Sequence, residues 1–205
     1  MIILAAGDST RMGVPKAILP APDGRPFVAR IVRSFAAAGI TEIIIVTGRH
    51  HAAIEEVLGR AAVAEGARAG GPFPAVRLAR NPDPDRGQLS SIWVGMDAIA
   101  GEPEAMLMTL VDVPMAAPST IVAVVAAWQR TRAPIVRPAI GDQHGHPVLF
   151  DRQLFGELRR APLEVGAKSV VRAHAAEIVN VDVDDRGCLV DVDTPEDYER
   201  LAGGT

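Results

Sequence analysis

One cysteine, Cys188, stands among 205 residues. That excludes an internal disulfide and leaves no thiolate cluster for zinc, so Cys188 is expected as a small buried side chain in a cytoplasmic protein. Aromatic residues are scarce, at 4%, and the core must therefore rest on Val, Ile, Leu and Ala. Positive charge is not in surplus either: the net charge is -4. Nucleic acid is thereby disfavoured as a partner, because binding it needs a concentrated basic surface that displaces counterions from phosphates. An anionic ligand would have to meet a local positive site. No apolar run approaches the roughly 18 residues a membrane helix requires. Met1 to Leu4 leads directly into a glycine loop without the basic region or long apolar stretch of a signal peptide. No membrane partner and no targeting segment are expected.

What is present is an alternation of aliphatic runs and helical patterns. A length of 205 residues suits a single domain over 1–205, and an apolar fraction of 48% is enough for a sizeable core. Ile2-Ile3-Leu4-Ala5 is a short apolar run ending at glycine, as in a buried parallel strand. Pro26 to Ala38 carries Phe27, Ile31 and Phe35 on one helical face, with Gly39 placed to end the helix. Strands are expected at Glu42 to Thr47, Val76 to Ala79, Met106 to Val111 and Pro134 to Arg137. Helices are expected at Ala52 to Leu58, Leu89 to Ile99 and Pro118 to Arg130. This spacing predicts right-handed βαβ crossovers, hence an α/β, Rossmann-like, mostly parallel sheet with helices on both faces. Beyond Gly141 the pieces shorten, with strands possible at Pro147 to Phe150, Glu177 to Val181 and Cys188 to Val192 around a helix near Ala167 to Ala173. The loop holding Gly66, Gly70, Gly71, Pro72 and Pro74 is the best candidate for a substrate-facing segment.

The passage at Gly7 offers backbone N–H groups to an anion, since glycine allows close approach to a ligand, and Arg11 and Lys16 supply charge. The spacing matches neither the phosphate loop G-x-x-x-x-G-K-[ST] nor the dinucleotide turn G-x-G-x-x-G. An ordinary βα loop with exposed cations is the plain alternative.

With Leu4-Ala5-Ala6-Gly7-Asp8-Ser9-Thr10-Arg11-Met12-Gly13-Val14-Pro15-Lys16, the chain resembles the nucleotidyltransferases of Rossmann-like fold, the nucleotide-diphospho-sugar transferase type. The likeness is strongest to the molybdenum cofactor cytidylyltransferases and their guanylyltransferase relatives. The resemblance implies a loop of Leu4, Ala5, Ala6, Gly7, Ser9 and Gly13 around a triphosphate, with Arg11 and Lys16 on phosphate oxygens. It extends to Asn81 and Gly87-Gln88-Leu89-Ser90-Ser91, similar to a second nucleotide segment in which Asn81, Gly87, Ser90 and Ser91 face the base. An N-cap explains the serines almost as well.

Leu110-Val111-Asp112-Val113-Pro114 places a carboxylate at the end of an apolar strand, where open α/β sheets bind ligands. Asp112 looks like the family's Mg²⁺ aspartate, and a bridging cation would remove its conflict with a triphosphate. In Val190-Asp191-Val192-Asp193-Thr194-Pro195-Glu196-Asp197, the run from Thr194 reads as a helix start. Asp191 and Asp193, two apart on the expected strand, share a side and could complete the metal site, Asp193 being preferred. The run Asp182, Asp184, Asp185 reads as a solvated turn. Gly145-His146-Pro147-Val148 is similar to an acceptor-side segment, although plain loop residues fit as well. His144 with His146 is weak evidence for zinc, and His50 and His51 carry less weight.

The resemblance implies an Mg²⁺-dependent transfer of a nucleoside monophosphate to a phosphorylated small molecule. Molybdopterin comes first, with a molybdoenzyme or its maturation factor as recipient. A phosphate acceptor is already a nucleophile near neutral pH, which fits the lack of an obvious general base. The guanylyltransferase branch has L-A-G-G where this chain has Ala6, so CTP is favoured over GTP. The rivals are a sugar-phosphate or methylerythritol-phosphate nucleotidyltransferase, and a nucleotide-binding cofactor-maturation chaperone that transfers nothing.

Overall fold

The computed structural model describes residues 1–66 and 74–203. Gly70, Gly71 and Pro72 of the expected substrate-facing loop lie outside the described residues. Among the described residues, eight strands form one sheet: β1 (Ile2–Ala5), β2 (Glu42–Thr47), β3 (Ala75–Arg80), β4 (Ala105–Leu110), β5 (Ile135–Ile140), β6 (Gln143–His144), β7 (Val148–Asp151) and β8 (Ile178–Asp182). Their order is β3-β2-β1-β4-β7-β5-β6, with β8 beside β5. The first four strands run parallel, β7 is antiparallel to both β4 and β5, and β8 is parallel to β5. The sheet is thus mixed and mostly parallel.

The helices that accompany it are α1 (Phe27–Ala37), α2 (His51–Gly66), α3 (Gln88–Asp97), α4 (Pro118–Thr131), α5 (Phe155–Arg160), α6 (Lys168–Ala173) and α7 (Pro195–Gly203). Strand side chains alternate between the faces, and that alternation sorts the aliphatic residues into two cores. Ile3, Ala5, Ile43 and Ile45 meet Val28, Ile31, Val32 and Phe35 of α1, Ile54 of α2 and Val124 and Trp128 of α4. Ile2, Leu4, Ile44 and Val46 meet Leu89, Ile92 and Met96 of α3, with Leu158 and Val170 from α5 and α6. Both strand faces are buried, which is why β1, β2 and β4 are continuous apolar runs rather than alternating ones. No helix among the described residues is long and apolar enough to cross a membrane.

The C-terminal third departs from expectation in two places. Cys188 to Val192 is not a strand: Arg186–Leu189 is a 3₁₀ turn, followed by extended chain outside the sheet. The reason is close contact. A Cβ on Gly187 would lie 2.3 Å from Met115 O, and one on Gly145 would lie 2.3 Å from Cys188 O. The backbone groups here bond to loops, with Cys188 O accepting from His146 N and Val192 N donating to Asp112 O. Asp185 is likewise no solvated turn residue. Its carboxylate accepts from Ala117 N and Thr120 Oγ1, both at 2.7 Å. Helix α4 begins Ala117-Pro118 and has no side-chain bond from its own N-cap, so a carboxylate 68 positions away takes the N-cap N–H and adds negative charge at the helix start.

Candidate active site

From β1 the chain proceeds to β2 and β3 on one side, while β4 pairs on the other. A crevice therefore opens between the loops that leave the C-terminal ends of β1 and β4, the usual ligand position in open α/β sheets. A cleft of about 320 Å³ occupies it. The first loop contributes Leu4, Ala6, Gly7, Ser9, Thr10, Arg11 and Lys16, the segment before and within α3 contributes Pro84, Gln88 and Ser91, and Leu110, Val111, Asp112 and Asp193 close the remaining side.

The first loop is held by its own atoms. Ser9 adopts the left-handed region at φ 52°, and its Oγ accepts from Lys16 N at 3.0 Å, which ties the start of the loop to its end. Gly13, at φ 67°, needs its glycine for conformation and does not line the cleft. Ala5 points away, into the core beneath α1. Gly7 has a φ open to any residue, and a Cβ there would meet no atom within 4 Å, so its lack of a side chain leaves room in the cleft itself.

Lys16 is buried. Its Nζ lies 2.5 Å from Asp193 Oδ1 and 3.3 Å from Asp112 Oδ2. Burial alone would lower its pKa, yet the bonds and charges of Asp193 and Asp112 outweigh that and hold it above the ordinary lysine value. Arg11, largely exposed, reaches Asp193 at 3.7 Å.

Oxygens of Asp112, Asp191 and Asp193 lie within 4.8 Å of one another. Asp191 is pushed up to about 6, first by desolvation and then by Asp112 and Asp193. Because Asp191 is still an exposed residue, the crowding of charge is the part a cation would relieve. Asp112 Oδ1 is buried without a hydrogen-bond partner. Three hard oxygen donors, one of them orphaned, fit a divalent cation. Asp193 is placed by α7: Asp197 Oδ2 accepts from Asp193 N at 3.1 Å, Thr194 N at 2.8 Å and Thr194 Oγ1 at 2.9 Å, and these bonds hold Asp197 down at about 2. Tyr198 on α7 packs against Phe27 and donates to Pro20 O, which locks α7 to the chain that follows Lys16.

The second segment is more structural than its resemblance implies. Asn81 is buried, and its Nδ2 donates to Ser90 Oγ and Ser91 Oγ, both at 2.9 Å, while its Oδ1 accepts from Asp83 N. Ser90 donates to Gly87 O at 2.7 Å. The N-cap of α3 is Gly87, at φ 94°, so neither serine is a cap. Of these four residues, Ser91 lines the cleft.

Gly145 serves the close approach to Cys188 described above. His146 follows it through a cis peptide bond to Pro147, and its Nδ1 is buried without a partner. Burial lowers its pKa, opposed by the Met108 backbone and the Asp112 charge, and the residue does not line the cleft. His144 is exposed on β6 and joins no group of three possible metal ligands among the described residues. His51 Nδ1 pairs with Thr47 Oγ1 at 2.7 Å.

Three contributors escaped the sequence, one being Pro84, which lines the cleft ahead of α3. Gln88 lines the cleft, and its place beside Gly87 could have marked it. Arg49 gave no signal: its guanidinium pairs with Asp8 of the first loop and, at 2.5 Å, with Asp85 Oδ2 of the second segment.

The profile of the MobA-like NTP transferase domain matches residues 1–178. Among curated proteins, the bifunctional protein GlmU of Rhizobium etli is 35% identical over 115 residues, 56% of this chain and 23% of GlmU. The chain thus spans about a quarter of that relative's length. Among solved structures, Rv0371c of Mycobacterium tuberculosis is 26% identical with a TM-score of 0.77, covering 100% of this chain and 97% of that one. A second structure of Rv0371c, at 25% identity and a TM-score of 0.71 with the same coverage, is a complex with manganese. The molybdopterin-guanine dinucleotide biosynthesis protein A of Archaeoglobus fulgidus, 14% identical, shares the fold with a TM-score of 0.66 over 98% of this chain and 96% of that one. With the family profile matched over most of its length, the chain belongs to the MobA-like NTP transferase domain family, the nucleotidyltransferases.

Proposed function

We propose that this nucleotidyltransferase, one unit over residues 1–205, moves CMP from CTP onto the phosphate of a small acceptor and releases pyrophosphate. Molybdopterin is the first acceptor to test, Mg²⁺ the cofactor, and a molybdoenzyme or its maturation factor the recipient of the product. The observation that carries this reading is the meeting of Lys16, at the end of the glycine loop, with Asp112 and Asp193 in one cleft, beside the exposed guanidinium of Arg11. A divalent cation is supported by the manganese found with Rv0371c and by the orphaned oxygen of Asp112.

Asp112, Asp191 and Asp193 would hold the cation, which when bound supplies positive charge to phosphate oxygens. The first loop presents Gly7 and the backbone around Ser9 to the triphosphate, while Arg11 and Lys16 neutralise the departing pyrophosphate. Ser91 offers a hydroxyl to the base, with Asn81 and Ser90 fixing its position and Gly87 framing the turn. On the acceptor side, Gly145 brings His146 to the carboxylate flank. An oxygen of the acceptor phosphate attacks the α-phosphorus as the bond to the bridging oxygen of pyrophosphate breaks. The attacking oxygen is already anionic, so no side chain has to remove a proton, and the work of the site is alignment and charge neutralisation.

CTP is placed ahead of GTP because Ala6, in the cleft wall, adds a methyl group where the guanylyltransferase branch has glycine. The test is pyrophosphate release with Mg²⁺ from CTP, GTP, ATP and UTP, each with molybdopterin, a hexose phosphate and methylerythritol phosphate. Release with CTP and molybdopterin is the expected result. Release with another pair moves the substrate assignment, and tight nucleotide binding without release under any pair refutes transfer.

A further inference from the structure

The cleft lining is of two chemical kinds. Ion pairs gather Arg11, Lys16, Asp112 and Asp193 into one cluster, whereas Ala6 on the loop after β1 and Pro84, Gln88 and Ser91 farther along the chain are neutral walls, with an amide and a hydroxyl as polar groups. If phosphates occupy the ionic cluster, the neutral walls are left for the base. Those walls come from separate stretches of chain, the loop after β1 and the segment that enters α3, and Arg49 spans them. Its guanidinium donates to Asp8, next to Gly7, and to Asp85 Oδ2, next to Pro84, the latter at 2.5 Å.

The reach of Arg49 depends on its neighbour. Gly48 leaves β2 so close under the first loop that a Cβ there would lie 2.5 Å from Ala6 O. Residue 49 therefore emerges directly behind the loop, at the level of Asp8. Both ends of the guanidinium are committed to carboxylates, so Arg49 is a strut rather than a phosphate ligand. The pairs are half-exposed, which limits their contribution to folding, but a fixed separation of two walls does not need a large stability.

We infer that Arg49, clasping Asp8 and Asp85, sets the width of the base-binding part of the cleft and is a specificity-determining residue for the nucleobase. The inference rests on the nucleotidyltransferase reading. A planar forked cation can hold two carboxylates at a set distance, which neither lysine nor a neutral side chain does. With the clasp in place, a base too large for the slot is excluded by the walls, and one that fits meets Gln88 and Ser91. Without it, the walls separate, contacts to the fitting base weaken and the penalty on the larger base falls.

The test measures dissociation constants of CTP, UTP, ATP and GTP by calorimetry with Mg²⁺ for the wild type, Arg49→Gln and Asp85→Asn. Asp85 is two-thirds exposed, its side chain at 68%, so its variant keeps the question open to measurement if Arg49→Gln folds poorly. The expected result is weaker binding of the preferred nucleotide, with the ratio between preferred and rejected bases shrinking about fivefold in either variant, within the range of couplings between contacting residues. Unchanged ratios, with or without a lower melting temperature, would make Arg49 merely structural and overturn the inference. A wild-type protein that binds none of the four nucleotides overturns the nucleotidyltransferase reading, and the inference with it.

Discussion

Lys16 Nζ lies 2.5 Å from Asp193 Oδ1, a contact between residues 177 positions apart. The ammonium neutralises carboxylates that would otherwise crowd one another, and Asp112 Oδ2 shares it at 3.3 Å. Lys16 is thus both the buried cation of the cleft and the counter-charge of the acidic cluster.

Removing that cation has a thermodynamic as well as a catalytic consequence. Lys16→Met should lower turnover by on the order of 10²-fold, the scale for losing one preorganised charge stabiliser, and Arg11→Ala should do the same. In EDTA, Lys16→Met should also lose about 1–3 kcal/mol of stability by urea denaturation, the cost of a partly buried polar group left unpaired. Saturating Mn²⁺ should restore part of that loss. Turnover equal to wild type in either variant would remove it from the phosphate clamp.

The acidic cluster predicts opposite effects of neutral substitutions on folding and on metal binding. The Asp191 carboxyl is pushed up to about 6, above its ordinary value, so its charged form is penalised in the folded protein. That penalty is fully present above pH 6 and is relieved as pH falls from about 6 toward 3.8. Asp191→Asn should therefore raise the melting temperature of the metal-free protein at pH 7 and weaken Mn²⁺ binding. Asp112→Asn should abolish most metal-dependent activity. Mn²⁺ titrations followed by calorimetry check both, and unweakened binding in Asp112→Asn would exclude it as a ligand.

Two glycines that look alike in sequence should respond differently to alanine. A Cβ on Gly48 meets Ala6 O at 2.5 Å, whereas one on Gly7 meets nothing within 4 Å. Gly48→Ala should cost about 1–3 kcal/mol, typical of overpacking against backbone that cannot yield. Gly7→Ala should melt like the wild type and bind nucleotide more weakly, because its methyl group would enter the cleft. Thermal denaturation beside calorimetric CTP binding separates the two effects.

Stability should also depend on pH through His174, which does not line the cleft. Its Nε2 pairs with Glu157 at 2.9 Å and its Nδ1 with Glu177 at 2.8 Å, and these bonds raise its pKa above 6.5. The contribution of the charged ring is fully present below pH 6.5 and is lost as pH rises through the raised value. Wild-type melting temperatures should therefore fall between pH 6 and pH 8 by more than those of His174→Ala. Parallel slopes would show that the pairs contribute nothing.

The chain order of apolar runs and helical stripes was enough to determine β1 to β5 and the four long helices, because residues two apart on a strand and three or four apart on a helix must share a face wherever they are buried. The glycine loop, Lys16 and Asp112 were legible for a related reason: their positions follow from local sequence at strand ends. The acidic C-terminal stretch was harder. Asp191 and Asp193 do meet Asp112, but from extended chain outside the sheet, after a 3₁₀ turn whose neighbourhood is set by Gly145 and Gly187 letting backbone approach backbone, a relation no local pattern carries. Asp185 reads as one acid in an acidic run until Ala117 N is seen to need an acceptor. The Arg49 clasp depends on two loops and a strand exit brought side by side. Sequence spacing determines which groups lie on a face or at a strand end; which charges share a site is decided only when the sheet order sets β1 beside β4 and α7 closes over them, since Coulomb and hydrogen-bond partners are chosen by distance in space.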